Sequence, residues 1–291
     1  DNINEALRKI DASSFENMDK TFTDTENGTQ FSVRETLNLM IVTDFDKISA
    51  KKYVYRCIVE GKKDGTYESR GIDEFTALFN KAVKTAILAE GDPIAAAEDL
   101  KANHASDYWS ISPNGETSAY KSFFNDFDKD IKAKVLNKIV NESTGFGDNE
   151  RVFNFAVVKE NILMGDYNSA VSVLKKYSDI VTVNYSTYNS LSNKGKDSAN
   201  SKFFNSVSST EDLDKLAAKF EEIAAEVKKT DKTNDGAGSK GGGNGGGSGS
   251  SSGTYLPGMV DTNKPAPEWY VDENGADGDK SLFSDLANAQ W

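Results

Sequence analysis

A 23-residue pattern recurs in this chain 74 residues on, with nine positions identical, and that repetition restricts its architecture more than any other feature. The stretch FNKAVKTAILAEGDPIAAAEDLK (79–101) aligns without a gap on FNFAVVKENILMGDYNSAVSVLK (153–175). Phe79 and Phe153, Asn80 and Asn154, Ala82 and Ala156, Val83 and Val157 are identical pairs, as are Gly91 and Gly165, Asp92 and Asp166, Ala96 and Ala170, Leu100 and Leu174, and Lys101 and Lys175. The identities run across both an apolar stripe and a turn. One supersecondary unit is therefore used more than once, as in repeat architectures.

The unit reads as helical. Ile72, Phe75, Leu78, Phe79, Ala82, Val83, Ala86 and Ile87 fall at three- and four-residue spacing, which predicts a helix over 72–90 with these side chains on one face. Gly91 is expected in the left-handed conformation that closes many helices. Asp92 and Pro93 then read as N-cap and first residue of the next helix. Further helices are expected around Phe45, Tyr53 and Ile58, around Phe124, Ile131, Val135 and Ile139, and around Tyr188, Phe203 and Phe204. Ser209-Thr-Glu-Asp resembles a capping box ahead of Leu213, Leu216, Phe220, Ile223 and Val227. YVYRCIV (53–59) is the one segment that also suits a strand.

These readings converge on an all-α fold, an elongated array of repeated small helical bundles whose units share helices and so meet at stiff joints. A partial repeat is expected over 1–71 and full repeats over 72–147 and 148–230. A Gly/Ser- and Asp/Pro-containing linker follows over 231–280, and a short motif over 281–291. Within the linker, GAGSKGGGNGGGSGSSSG (236–253) has too little apolar matter to pack; a tract of about 20 such residues spans roughly 25 Å.

Charge and residue counts narrow the function classes. The formal net charge is −12, the wrong sign for non-specific nucleic-acid binding or for docking on an anionic membrane. No stretch approaches about 18 consecutive apolar residues, so no membrane span is expected. Cys57 is the only cysteine, which rules out an intrachain disulfide framework. It reads as a small buried hydrophobe. The chain begins at Asp1 rather than Met and shows no signal segment, which suggests a processed protein or a fragment.

Candidate chemistry is sparse. His104 is the single histidine, and no neighbouring motif supplies it with a nucleophile or an orienting acid. Asp126, Asp128 and Asp130 alternate like calcium-loop ligands but lack the glycine and distant glutamate of that loop, and the acidic run 272–279 reads as a solvated turn. The glycines of 241–247 follow no strand and precede no GK[ST], so they are not a phosphate loop. Tyr108 and Trp109 form the best candidate ligand platform, set against a packing role for the same pair. No catalytic residue, metal ligand or cofactor is assigned.

Two sets of residues carry a resemblance. FSDLANAQW (283–291), with Phe283, Asp285 and Trp291, is similar to the opening of an S-layer homology motif, which starts F-x-D-[VL] and places a tryptophan a few residues on. The repeated FNxAV…GD…L body resembles the helical modules that precede such motifs in large exported proteins of clostridia and related Gram-positive bacteria, often joined to them by a Gly/Ser-rich segment. The resemblance implies a secreted, cell-surface location and a wall anchor, with the cell-wall polysaccharide bound by S-layer homology motifs beyond Trp291. The chain itself ends before the segment that supplies key contacts in such motifs.

The expected function is that of a monomeric, non-enzymatic spacer linking upstream domains to a downstream wall anchor. The alternative is a helical glycan- or protein-binding adhesion module using Tyr108 and Trp109. A carbohydrate-active enzyme fragment is the third reading; it would need two carboxylates about 5–10 Å apart across a cleft.

Overall fold

Phe75, Phe79, Ala82, Val83, Ala86 and Ala89 are all buried, and that stripe is why Ile72–Glu90 is a single long helix. The computed structural model describes residues 2–23, 32–37, 42–103, 108–111 and 117–231, and all its regular elements are helical. In chain order they are α1 (Asn2–Ala12), α2 (Met18–Thr23), α3 (Val33–Thr36), α4 (Val42–Lys47), α5 (Lys51–Gly61), α6 (Tyr67–Arg70), α7 (Ile72–Glu90) and α8 (Pro93–Asn103). They continue with α9 (Ser118–Asn125), α10 (Lys129–Glu142), α11 (Asn149–Met164), α12 (Ala170–Lys176), α13 (Ser186–Asn189), α14 (Asn193–Val207) and α15 (Leu213–Thr230). Residues 53–59 lie within α5, so the strand alternative is discarded. The described residues belong to one compact unit, Asp1–Asp235.

Three antiparallel helix pairs form the frame: α5 with α7, α10 with α11, and α14 with α15. Successive pairs join in the same way. The first helix of the second pair, α10, packs on α7 and on the connecting α8, and α14 likewise packs on α11 and α12. Phe79 and Phe153, matched in the sequence repeat, each anchor an aromatic cluster. Phe79 lies 5.3 Å from Phe45 and 6.0 Å from Phe22, ring centre to ring centre, and Phe153 lies 5.3 Å from Phe123. Phe220 plays the corresponding part in the third pair, against Phe203 at 5.2 Å and Tyr188 at 5.4 Å. Such ring pairs contribute about 0.5–1.5 kcal/mol beyond area burial. On α15, Leu216, Phe220, Ile223 and Val227 are buried while Asp214, Lys215, Glu222 and Glu226 face water, so the array ends on a polar helix face.

Three local expectations are corrected. Gly91 is not left-handed: its φ is −87°, the same as at Gly165. Glycine is favoured there by close approach, since a Cβ would lie 3.0 Å from the Ile87 carbonyl oxygen at Gly91 and 2.4 Å from Ser169 Oγ at Gly165. Ser209 does not cap α15; Asp212 does, its carboxylate accepting from the Lys215 N–H at 2.7 Å, while Ser209 Oγ donates to the Ser206 carbonyl. Ile87, assigned to the buried stripe, lies at its edge and is 36 % exposed. Asp92 and Pro93 stand as read, with the Asp92 carboxylate accepting from the Ile94 N–H at 3.0 Å and Pro93 opening α8.

Candidate functional site

Residues 108–111 are held by a buried polar knot. Asp99, on α8, accepts from Trp109 Nε1 at 2.8 Å and from Tyr108 Oη at 3.1 Å. Thr85 Oγ1, on α7, donates to the Tyr108 carbonyl at 2.6 Å. Asn149, the first residue of α11 and fully buried, donates to the Trp109 carbonyl at 2.9 Å and accepts from Tyr53 Oη at 3.1 Å. Side chains from α7 and α11 thus satisfy the two backbone carbonyls, while Asp99 of α8 holds the Tyr108 and Trp109 side chains and Tyr53 of α5 braces Asn149. Buried carbonyls without partners are costly, which explains why these polar side chains lie in an otherwise apolar interior. Burial pushes the Tyr53 phenol well up, so it stays a neutral donor.

Trp109 is fully buried, and its ring offers no face to a ligand. The two-residue platform is therefore corrected: Trp109 is a packing anchor, and only half-buried Tyr108 reaches the surface. There Tyr108 lines an open depression of about 580 Å³ with Asp44, Asn80, Lys81, Lys84, Ile87 and Leu88. Lys84 Nζ lies 4.3 Å from the centre of the Tyr108 ring, within cation–π range. Carbon atoms dominate the exposed lining.

The acidic residues have work of a different kind. Glu90, the last residue of α7, accepts from the Ser49 and Ala50 N–H groups at the start of α5, at 2.8 and 2.5 Å. Asp231 accepts from the Ser192 N–H at 2.7 Å, at the N-cap of α14. Asp179 accepts from the Ser118 N–H at 2.8 Å and from its hydroxyl, at the start of α9. Asp11 takes the Tyr67 and Glu68 N–H groups that open α6. A carboxylate at a helix N-terminus satisfies orphan donors and complements the dipole. Cations mirror the pattern: Arg56 donates to the Val140 carbonyl at 2.8 Å and to that of Ser143, and Lys159 donates to the carbonyls of Ser208 and Thr210 at 2.7 and 3.1 Å.

Asp126 and Asp128, read as members of a calcium-like run, are separately engaged. Asp126 pairs with Lys176 at 2.6 Å, and that bond holds its carboxyl below the usual range. Asp128 is the N-cap of α10, accepting from the Asp130 and Ile131 N–H groups at 2.9 Å. Among the described residues no group of three or more His, Cys, Asp or Glu converges as metal ligands would, and no helix is long and apolar enough to cross a membrane. Cys57 is buried, and that burial pushes its thiol well up. His104, Phe283, Asp285, Trp291, the glycine tract and the 272–279 acids lie outside the described residues.

Sequence reading passed over Asn149, Asp99 and Thr85. A signal existed: Asp99 and Thr85 fall where the two copies differ, opposite Val173 and Lys159. No family model, curated protein or solved structure matches the chain.

Proposed function

We propose that the helical body is a stand-off element of a cell-surface protein, a non-enzymatic stalk leading through the Gly/Ser tract toward a wall-anchoring segment that begins at Phe283. The serial packing carries this reading: each helix pair docks on its predecessor and on the connecting helix, so every joint is a three-helix contact. Cross-element polar bonds reinforce the joints, including Arg56 of α5 to the Val140 carbonyl of α10 and Lys159 of α11 to the Ser208 carbonyl at the end of α14. Glu90, Asp11, Asp179, Asp231, Arg56 and Lys159 are all committed to helix ends, which suits a scaffold whose task is to keep its shape. The anchoring half rests on the resemblance of FSDLANAQW to an S-layer homology opening.

Two measurements test it. Spin labels at Asn2 and Glu222 are expected to give one narrow distance distribution, unchanged by ionic strength; a broad or two-peaked distribution overturns the stalk. Purified Gram-positive cell walls are expected to retain the full-length protein, and to lose it on Phe283→Ala plus Trp291→Ala. Retention unaffected by those changes removes the anchoring half.

The alternative reading, a binding module, is supported by one feature, the Tyr108 depression.

A further inference from the structure

Among the described residues, the Tyr108 depression has no counterpart at the matching positions of the second repeat copy. Its lining residues Lys84, Ile87 and Leu88 correspond to Val158, Asn161 and Ile162 in the second copy. There Val158 and Ile162 are buried, and Asn161 Nδ2 donates to Tyr177 Oη at 2.6 Å. The second copy packs these positions inward without impairing the helix pair. Repeat packing therefore does not demand an exposed isoleucine and lysine at this point.

We propose that the depression binds a flat, apolar organic anion, with its rings against Tyr108, Ile87 and Leu88 and its carboxylate or sulfonate on Lys84. The volume, about 580 Å³, suits a small ligand of two or three rings. The wall is set in advance: Tyr108 is tied at its hydroxyl to Asp99 and at its carbonyl to Thr85, so little side-chain entropy is lost on binding. Charge selects the sign. Lys84 stands exposed on the lining beside the Tyr108 ring, and the one acid among the described lining residues, Asp44, faces Lys47 at 3.5 Å. On a chain of net charge −12, a carbon-rich depression with the Lys84 ammonium at its wall is a local exception. A neutral sugar fits less well, because it needs several outward-facing hydrogen-bonding groups and the Asn80 side-chain oxygen is shut off from solvent.

This inference stands apart from the stalk reading, since a rigid stalk with or without such a ligand gives the same label distances. Its test uses the whole chain and the fluorescent anion anilinonaphthalene sulfonate, followed by calorimetry at neutral pH. The expected result is saturable binding of one equivalent. Lys84→Glu and Ile87→Asp, both at exposed positions that leave the fold intact by circular dichroism, should each weaken it by about tenfold or more, and Lys84→Arg should hold it within about threefold. Neutral phenylnaphthylamine should bind at least about tenfold more weakly than the sulfonate. Lys229→Glu, on the outer face of α15, is the control and should change nothing. The proposal is overturned by unsaturable binding, by equal affinity for the neutral compound, or by affinity untouched by Lys84→Glu and Ile87→Asp. Retention of an acidic oligosaccharide with no binding of the aromatic sulfonate also overturns it, in favour of a glycan site.

Discussion

Tyr53 and Asn149, 96 residues apart in sequence, share a buried hydrogen bond of 3.1 Å that joins the first helix pair to the second. The same asparagine holds the Trp109 carbonyl at 2.9 Å. One side chain therefore fixes α5, α11 and the turn that buries Trp109. Removing it takes a partner from the Tyr53 phenol and from the Trp109 carbonyl in a dry interior.

Asn149→Ala is accordingly expected to cost about 2–4 kcal/mol in urea unfolding, more than one net hydrogen bond. Tyr53→Phe should cost less, about 1 kcal/mol, because the amide keeps its bond to Trp109. The double mutant should fall short of the sum of the two. Additive effects would show that the residues do not act as a unit.

The carboxylate caps give the body an acid limit. At Asp179, burial raises the pKa, but the bonds from Ser118 outweigh it and leave the carboxyl below its ordinary value. At Asp231 the bonds from Ser192 lower it as well. A folded-state pKa below the unfolded one gives stability that is fully present above the unfolded value and is lost as pH falls through the folded one. The melting temperature should therefore drop below pH about 4, and Asp179→Asn plus Asp231→Asn should lower it at pH 7 and flatten that drop. An unchanged acid slope in the double variant would assign acid unfolding to other groups.

Lys159 closes the C-terminal end of α14. Lys159→Met keeps the aliphatic stem and removes both bonds to the Ser208 and Thr210 carbonyls. A loss of about 1–2 kcal/mol is expected. Amide exchange should quicken in the last turn of α14 while α10 keeps its protection. Uniform acceleration along the chain would mean that Lys159 acts globally.

Gly61 permits a close approach that no other residue allows. A Cβ there would lie 2.3 Å from Tyr67 Oη and 2.5 Å from Leu78 Cδ1, and Tyr67 Oη donates to the Ile58 carbonyl at 2.7 Å. Gly61→Ala should destabilise by about 1–3 kcal/mol through overpacking, although alanine is the better helix former. Stabilisation would show that Tyr67 can move aside freely.

Cys57 should be inert in the folded protein. Its thiol is buried and held protonated by that burial, so an aromatic disulfide reagent should react only as fast as the body opens. Reaction at the rate of a free thiol peptide would contradict the burial.

Much of the fold was legible because its signals are local. The bounds of α7 follow from a stripe repeating every three or four residues and from Gly91, and Pro93 marks the start of α8 by its missing N–H. The same rules failed where a local pattern had a rival. Ser209 and Asp212 both suit an N-cap, and the choice between them depends on how α14 ends against Lys159. Gly91 carries a glycine signal whose cause is the neighbouring backbone rather than handedness. At the candidate site, Tyr108 and Trp109 are adjacent and alike on paper, yet one lines a surface and the other lies in the core.

The sequence by itself determined the helical class, the repeated unit and its tight turn, since periodicity and turn chemistry operate within a few residues. Only the tertiary structure decided which acid caps which helix, that Asn149 reaches Tyr53 and Trp109, and that Lys84 and Ile87 frame an open depression where the second copy is closed. Those pairings link residues up to 96 positions apart. They depend on how one helix pair settles on the next, and a −12 chain rich in interchangeable carboxylates does not encode that choice in any local pattern.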